Sequence, residues 1–239
     1  LVTVCDRFGS IYETGTLAYA LQDGGTVTFA CDGTIYIDPS TPIKIMADTV
    51  IDATDRNIVL HGGNAVRVIM VQPGIKLDLI NLTITGGNAG GGSGGGLRNW
   101  GGTVSLSNCV ITGNTAMSGG GISNEFGVDT YGTMTLNNTV VSDNTAYISK
   151  SNATGGGIHN TANMTLTDCL ITRNSARTDT GNTLCGGIYS KISMSLINCT
   201  ISDNTAENYG GIWNSGQMSI LNSTVSGNSA TEVGIGNCG

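Results

Sequence analysis

"MTLTDCLITRNSA" fills residues 164–176, and "MSLINCTISDNTA" fills residues 194–206. The two phrases start 30 residues apart and share Met, Leu, Cys, Ile, Asn and Ala at equivalent positions. Four relatives flank them: "LDLINLTITGGNA" (77–89), "VSLSNCVITGNTA" (104–116), "MTLNNTVVSDNTA" (134–146) and "MSILNSTVSGNSA" (218–230). Successive starts are separated by 27, 30, 30, 30 and 24 residues. A period of this size that varies by insertion marks a solenoid, in which each unit buries its apolar face only by stacking on the next.

Within a phrase the apolar residues alternate. In "MSLINCTIS" Met194, Leu196, Cys199 and Ile201 are separated by small polar residues, which is strand patterning, and no window holds a helical repeat for long. The alternation slips by one at Asn81, Asn108, Asn138, Asp168, Asn198 and Asn222. Asparagine tolerates left-handed backbone angles, so this column predicts a bend whose amides stack from coil to coil.

A second phrase recurs between the first: "GGGLRN" (94–99), "GGGISN" (119–124), "GGGIHN" (155–160), "CGGIYS" (185–190), "YGGIWN" (209–214) and "EVGIGN" (232–237). Its glycine pairs suit a turn with positive φ or a close approach of two backbones. Alanines 89, 116, 146, 176, 206 and 230 suit a tight inner corner. Each coil then carries two or three short strands, and strands of successive coils pair about 4.8 Å apart. The fold expected is all-β: one parallel β-helix of roughly eight to nine coils across residues 1–239. Residues 1–30 form an N-terminal cap, 31–76 irregular coils and 77–239 the regular repeats. In "TGTLAYALQDGG" (14–25) a Thr start, Leu17, Ala20 and Leu21 at helical spacing and a Gly stop predict a short helix over the open end.

Composition agrees. The chain has 37 glycines, 5 % aromatic and 11 % charged residues, which argues against a core of large rings. Apolar content of 39 % with few charges argues equally against disorder. A net charge of −7, with no dense Lys/Arg cluster, makes nucleic acid an unexpected partner. No apolar run reaches the ~18–20 residues of a membrane helix, so no membrane span is expected. "LVTVCD" reads as the start of a processed mature chain, and an extracellular or cell-surface location is expected. Seven cysteines fit a secreted protein with one thiol left over; Cys5 and Cys31 flank the first unit and are the candidate staple.

The glycine runs, together with Ile111-Thr-Gly-Asn114, Val141-Ser-Asp-Asn144, Ile171-Thr-Arg-Asn174, Ile201-Ser-Asp-Asn204 and Val225-Ser-Gly-Asn228, resemble the paired "GGA(I/L/V)" and "FxxN" motifs of polymorphic outer-membrane protein repeats. "GTLAYALQDGGTVTF" is similar to the entrance of CSLREA-type secreted β-helix proteins. Ile or Val stands where the first motif has Phe, and no membrane barrel follows within these 239 residues. The resemblance implies a right-handed, pectin-lyase-like parallel β-helix on a cell surface or in secreted material, often adhesive.

Candidate chemistry is sparse. By alternation the residue after each "GGI" points outward, giving the file Arg98, Ser123, His159, Tyr189, Trp213 and Gly236. Arg98, His159, Tyr189 and Trp213 are the candidate ligand-binding residues, because rings stack on sugar faces and an arginine forks onto carboxylates. The same composition suits a protein contact. Insertions at 125–133, 147–154 and 177–184 are placed to border a cleft beside this file. Asp143, Arg173 and Asp203 share a column, read as a charge ladder or a catalytic trio, and Asp52 and Asp78 form a second candidate carboxylate stack. Cys109, Cys169 and Cys199 point inward as small hydrophobes, with a Cys169–Cys199 bridge as the alternative. No metal site or cofactor is expected, and no catalytic residue is assigned. The reading favours a structural or adhesive β-helix whose partners are other copies, end to end or side by side, or surface glycans. A polysaccharide lyase or glycoside hydrolase is the alternative. Ice binding through Thr83/Thr85, Thr200/Ser202 and Thr224/Ser226, a face interrupted by Val110, Val140 and Leu170, is the third.

Overall fold

The computed structural model describes residues 1–7, 13–40, 42–233 and 236–237. Parallel strands stack in register into three eight-stranded sheets, with a fourth sheet of short strands along one corner. The coil that starts at Asn163 shows the path. It runs along the first sheet (Asn163–Thr167), bends at Asp168, and follows the second sheet (Leu170–Thr172). It then bends at Arg173, crosses the corner sheet (Ser175–Thr178, Thr183–Leu184) and returns through the third (Ile188–Ser190). Eight rungs make seven full windings from first to last, close to the expected number. The rungs begin earlier than expected, since Gly25–Thr28, inside the segment read as cap, already pairs with Thr49–Asp52 in the segment read as irregular coils.

Equivalent apolar residues pile into interior files. Ile84, Ile111, Val141, Ile171 and Ile201 are register partners in the second sheet, and all are completely buried. Leu79, Leu106, Leu136, Leu166 and Leu196 do the same in the first. β-Branched and leucine side chains fit this pleated, closely packed interior.

The bends are set by residues that accept left-handed angles. Asn81, Asn108, Asn138, Asp168, Asn198 and Asn222 all have φ between 45° and 58°. Their side chains bridge rungs where polarity allows, Asn138 donating to Asn108 at 2.7 Å and Asn198 to Asp168 at 3.1 Å. At the third bend the positive φ falls one residue ahead of the glycine pair, on Gly119, Gly155, Cys185 and Tyr209. The pair itself answers a different need: a Cβ on Gly120 would run into the carbonyl oxygens of Thr145 and Gly156. Close approach of neighbouring coils therefore explains the pair, and the residue before it supplies the turn.

A buried polar column runs beside the apolar files. Asn114 donates its backbone N–H and its amide to Asn144 Oδ1, both at 3.0 Å. Asn144 does likewise to Asn174 at 3.0 and 3.0 Å, and Asn174 to Asn204 at 2.9 and 3.0 Å. Each amide also donates to a carbonyl on the preceding coil, such as Ile111 O or Val141 O, both at 2.9 Å. A second buried ladder joins Asn99, Asn124 and Asn160 at 2.9 Å per step and ends on Ser190. Fully satisfied buried polar networks of this kind specify a single register, because any slip leaves donors unpaired.

Helix α1 (Leu17–Ala20) immediately precedes the first rung, with Thr16 accepting from Tyr19 N and Leu17 buried in the core. Val2 pairs with Phe29 and Arg7 with Tyr36, so the N-terminal strands also extend over that end. At the other end Ile220 and Val225 are 49 % and 38 % exposed, although their partners Leu196 and Ile201 one rung below are completely buried. Two insertions, 147–154 and 177–184, stack on each other as a fin: Ala153 pairs with Thr183, and Thr178 Oγ1 donates to Ile148 O. Asp52 and Asp78 do not stack. The register sets Val50 against Asp78, Asp52 accepts from Thr54, and Asp78 pairs with Lys76 at 3.0 Å.

Asn144→Ala removes the acceptor of Asn114 and the donor to Ile111 O in one step. Orphaned buried groups cost about 1–3 kcal/mol each. A loss of about 3 kcal/mol or more is expected, which at this chain length lowers the melting temperature by on the order of 10 °C. A melting temperature within about 2 °C of the native chain would show that the ladder contributes little.

Candidate functional site

The third sheet positions the outward file. Leu97–Trp100, Ile122–Glu125, Ile158–Asn160, Ile188–Ser190 and Ile212–Asn214 bring Arg98, Ser123, His159, Tyr189 and Trp213 into one register column, which continues to Gly236. Alternation thus brings together all four candidate binding residues. It does not leave them open. Tyr189 is 5 % exposed and Ser123 not at all, while Arg98, His159 and Trp213 are half-buried.

The rings use their faces on one another. His159 and Tyr189 stack at 5.0 Å between centroids with 5° between planes, and Tyr189 and Trp213 at 4.4 Å with 8°. Lys191 Nζ lies 5.6 Å from the Tyr189 centroid. A sugar stacks on a ring face. Here both faces of the Tyr189 ring are already covered by its two neighbours.

The polar end of the file is equally engaged. Arg98 donates to Glu125 Oε2 from Nε at 3.0 Å and Nη2 at 2.6 Å. Ser123 Oγ donates to Glu125 Oε1 at 2.7 Å and lies 3.3 Å from His159 Nδ1. With its only proton given to Glu125, the hydroxyl accepts from Nδ1–H of a neutral imidazole. Burial alone would raise the Glu125 carboxyl, but hydrogen bonds from Ser123 and Arg98 and the arginine charge hold it below the usual range. Burial drives His159 down to about 4, against the pull of Glu125. Neighbouring Arg67, also lowered by burial, donates from Nε to the Ser93 and Gly94 carbonyls at 3.0 and 2.9 Å. Glu125 was not among the expected site residues; the signal for it is its place two residues after Ser123, on the same side of the strand.

The other candidates resolve into structure. Asp143, Arg173 and Asp203 occupy the left-handed turn position that Gly86, Gly113 and Gly227 fill on other coils. Arg173 holds Asp143 with two hydrogen bonds of 2.8 Å, which lowers the carboxyl and raises the guanidinium. This is an exposed charge ladder. Of the three insertions, two form the fin. The third carries Phe126, Val128 and Tyr131 at the surface, with the Phe126 and Tyr131 rings 4.7 Å apart.

Cys5 and Cys31 are joined by a disulfide. Cys109, Cys169, Cys185 and Cys199 are free and buried, and Cys238 lies outside the described residues. The alternative Cys169–Cys199 bridge is thus absent: each thiol instead points at a carbonyl of the coil before, Cys169 at Leu136 O and Cys199 at Leu166 O, both 3.5 Å. The neighbouring Cys199 thiol and burial raise Cys169, and burial raises Cys109 and pushes Cys185 up to about 12. Among the described residues no group of three His, Cys, Asp or Glu side chains is placed to hold a metal ion, and no helix is long and apolar enough to cross a membrane.

The chain has no match among models of protein families, curated proteins or solved structures.

His159 makes a pH prediction. Its folded value near 4 lies below the ordinary 6.5, so between these values the unfolded chain binds the extra proton and stability falls as pH drops. His159→Phe keeps a ring in the stack and removes the titration. Its melting temperature is expected to fall less than that of the native chain from pH 6.5 to 4; parallel curves would show that His159 is not the group responsible.

Proposed function

We propose that this chain is an extracellular or cell-surface β-helix with a structural and adhesive role, related to the polymorphic outer-membrane type of repeat. The supporting observation is the engaged outward file. Arg98, Glu125, Ser123 and His159 bond to one another, and the rings of His159, Tyr189 and Trp213 cover one another, so their groups hold rungs together. A hydrolase would need two carboxylates free to face a substrate. The Cys5–Cys31 disulfide fits an oxidising compartment.

Adhesion on this reading uses the surface that the file leaves over. Phe126, Val128 and Tyr131 stand out on the insertion after the third sheet, and exposed aromatic groups favour contact with proteins or glycans. Association of copies is favoured at the rung that exposes Ile220 and Val225. Because Val2 and Arg7 already pair with Phe29 and Tyr36 at the opposite end, copies of the 239-residue chain would meet like end to like end and stop at a pair.

Two measurements test this. Incubation with neutral and acidic polysaccharides is expected to release no unsaturated or reducing ends, while glycan-coated or cell-derived surfaces retain the protein through Phe126 and Tyr131. Release of such ends, or recovery of the protein in the cytosol of its source, would overturn the proposal. Sedimentation of the 239-residue chain is expected to show monomer and dimer; long polymers would exclude the like-to-like arrangement.

A further inference from the structure

We propose that the outward face of the first sheet is an ice-binding plane, independently of the adhesive role. Four consecutive strands, Thr103–Ser107, Thr133–Asn137, Asn163–Thr167 and Ser193–Ile197, pair in full five-residue register. Alternation turns three residues of each strand outward. The twelve positions read Thr103, Ser105, Ser107; Thr133, Thr135, Asn137; Asn163, Thr165, Thr167; Ser193, Ser195, Ile197. Nine carry a hydroxyl, two an amide and one a methyl-rich side chain.

The fold does not demand this composition. In the corresponding outward column of the third sheet the same solenoid carries Arg98, Ser123, His159, Tyr189 and Trp213. The plane of the first sheet instead excludes charge over these four rungs, and the nearest charged groups on that sheet are the Lys76–Asp78 pair one rung earlier. It also excludes aromatic rings.

What singles the plane out is the state of its hydroxyls. On the second sheet they bond to each other, Ser142 to Thr112 and Thr172 with Ser202, both at 3.2 Å. Along the corner Thr145 bonds with Ser175 at 3.2 Å and Thr154 with Ser118 at 2.9 Å. Among the described residues none of the nine hydroxyls on the first sheet hydrogen-bonds to the protein, and all have at least partial exposure. The second-sheet face suggested by sequence is the weaker candidate, because its Thr112–Ser142 and Thr172–Ser202 hydroxyls bond to each other and Val110, Val140 and Leu170 interrupt it.

The ligand follows from the array. Outward positions recur about every 4.8 Å along the axis and about every 6.7 Å along a strand, and the middle column, Ser105, Thr135, Thr165 and Ser195, is hydroxyl on all four rungs. Each belongs to a backbone held by ladders on both sides. A two-dimensional period held this rigidly rewards only a partner that is itself periodic in two dimensions, because the ordering cost is met before contact. Neutrality excludes a charged lattice, and the absence of rings from these four rungs removes the usual means of stacking a sugar chain. Crystalline water remains: its oxygens accept from and donate to the hydroxyls, and the threonine methyls lie against the lattice between them.

The test grows single ice crystals in solutions of the fluorescently labelled 239-residue chain. Faceted crystals that take up the label are expected. Thr135→Lys with Thr165→Lys should abolish both effects, and Thr83→Lys with Thr200→Lys on the second sheet should preserve them, with circular dichroism and melting checked for every variant. If the double variant fails to fold, the single Ser195→Lys replaces it. Unshaped discs without label uptake by the native chain would overturn the proposal, as would equal shaping by the plane and control variants. Retention on crystalline cellulose with unshaped ice would reassign the plane to a neutral glycan solid.

Discussion

Everything in this molecule depends on equivalent residues lying one above another, and the buried asparagine column makes that stacking obligatory. Apolar files alone tolerate a slip, since leucine packs on isoleucine nearly as well as on leucine. The Asn114, Asn144, Asn174 and Asn204 amides do not: each is at once acceptor for one neighbour and donor to the next, and also caps a carbonyl of the coil before. A shift of one residue would leave several buried groups unpaired on every rung it touched. The column converts a forgiving hydrophobic stack into one register.

Much of the architecture was legible because it is written several times. The interior files, the bend at Asn81 and its equivalents, and the helix after Thr16 all follow from alternation and from residues with strong local preferences. The asparagine column was harder. Asn114 and Asn144 belong to the recognisable "ITGN" and "VSDN" phrases, yet a polar residue at the end of a strand reads as a turn, and only the coordinates show it turned inward. The pairing of Asp52 with Asp78 failed because the early coils lack the repeated phrase by which equivalent positions are aligned elsewhere, and the register sets Asp52 against Ile80.

The candidate site was legible as a column and misleading as a surface. Period-two alternation correctly placed Arg98, His159, Tyr189 and Trp213 on one side of one sheet. Alternation says nothing about how large groups spaced by a strand separation arrange themselves. Flat rings at that spacing fall face to face, and an arginine beside a glutamate closes on it. The free groups lie on the plain hydroxyl face of the first sheet, which draws no notice in sequence.

The fin built from 147–154 and 177–184 carries a lesson about descent. Its two loops have matching length and bond to each other point by point, Asn182 to Asn152 and Thr178 to Ile148. A lengthened loop on one winding alone, such as 125–133, must instead close on itself, as Phe126 does by pairing with Tyr131. Paired ornaments therefore arise most readily when a whole winding is copied with its decoration in place, so that in a stacked protein of this kind the heritable unit of novelty is a pair of neighbours.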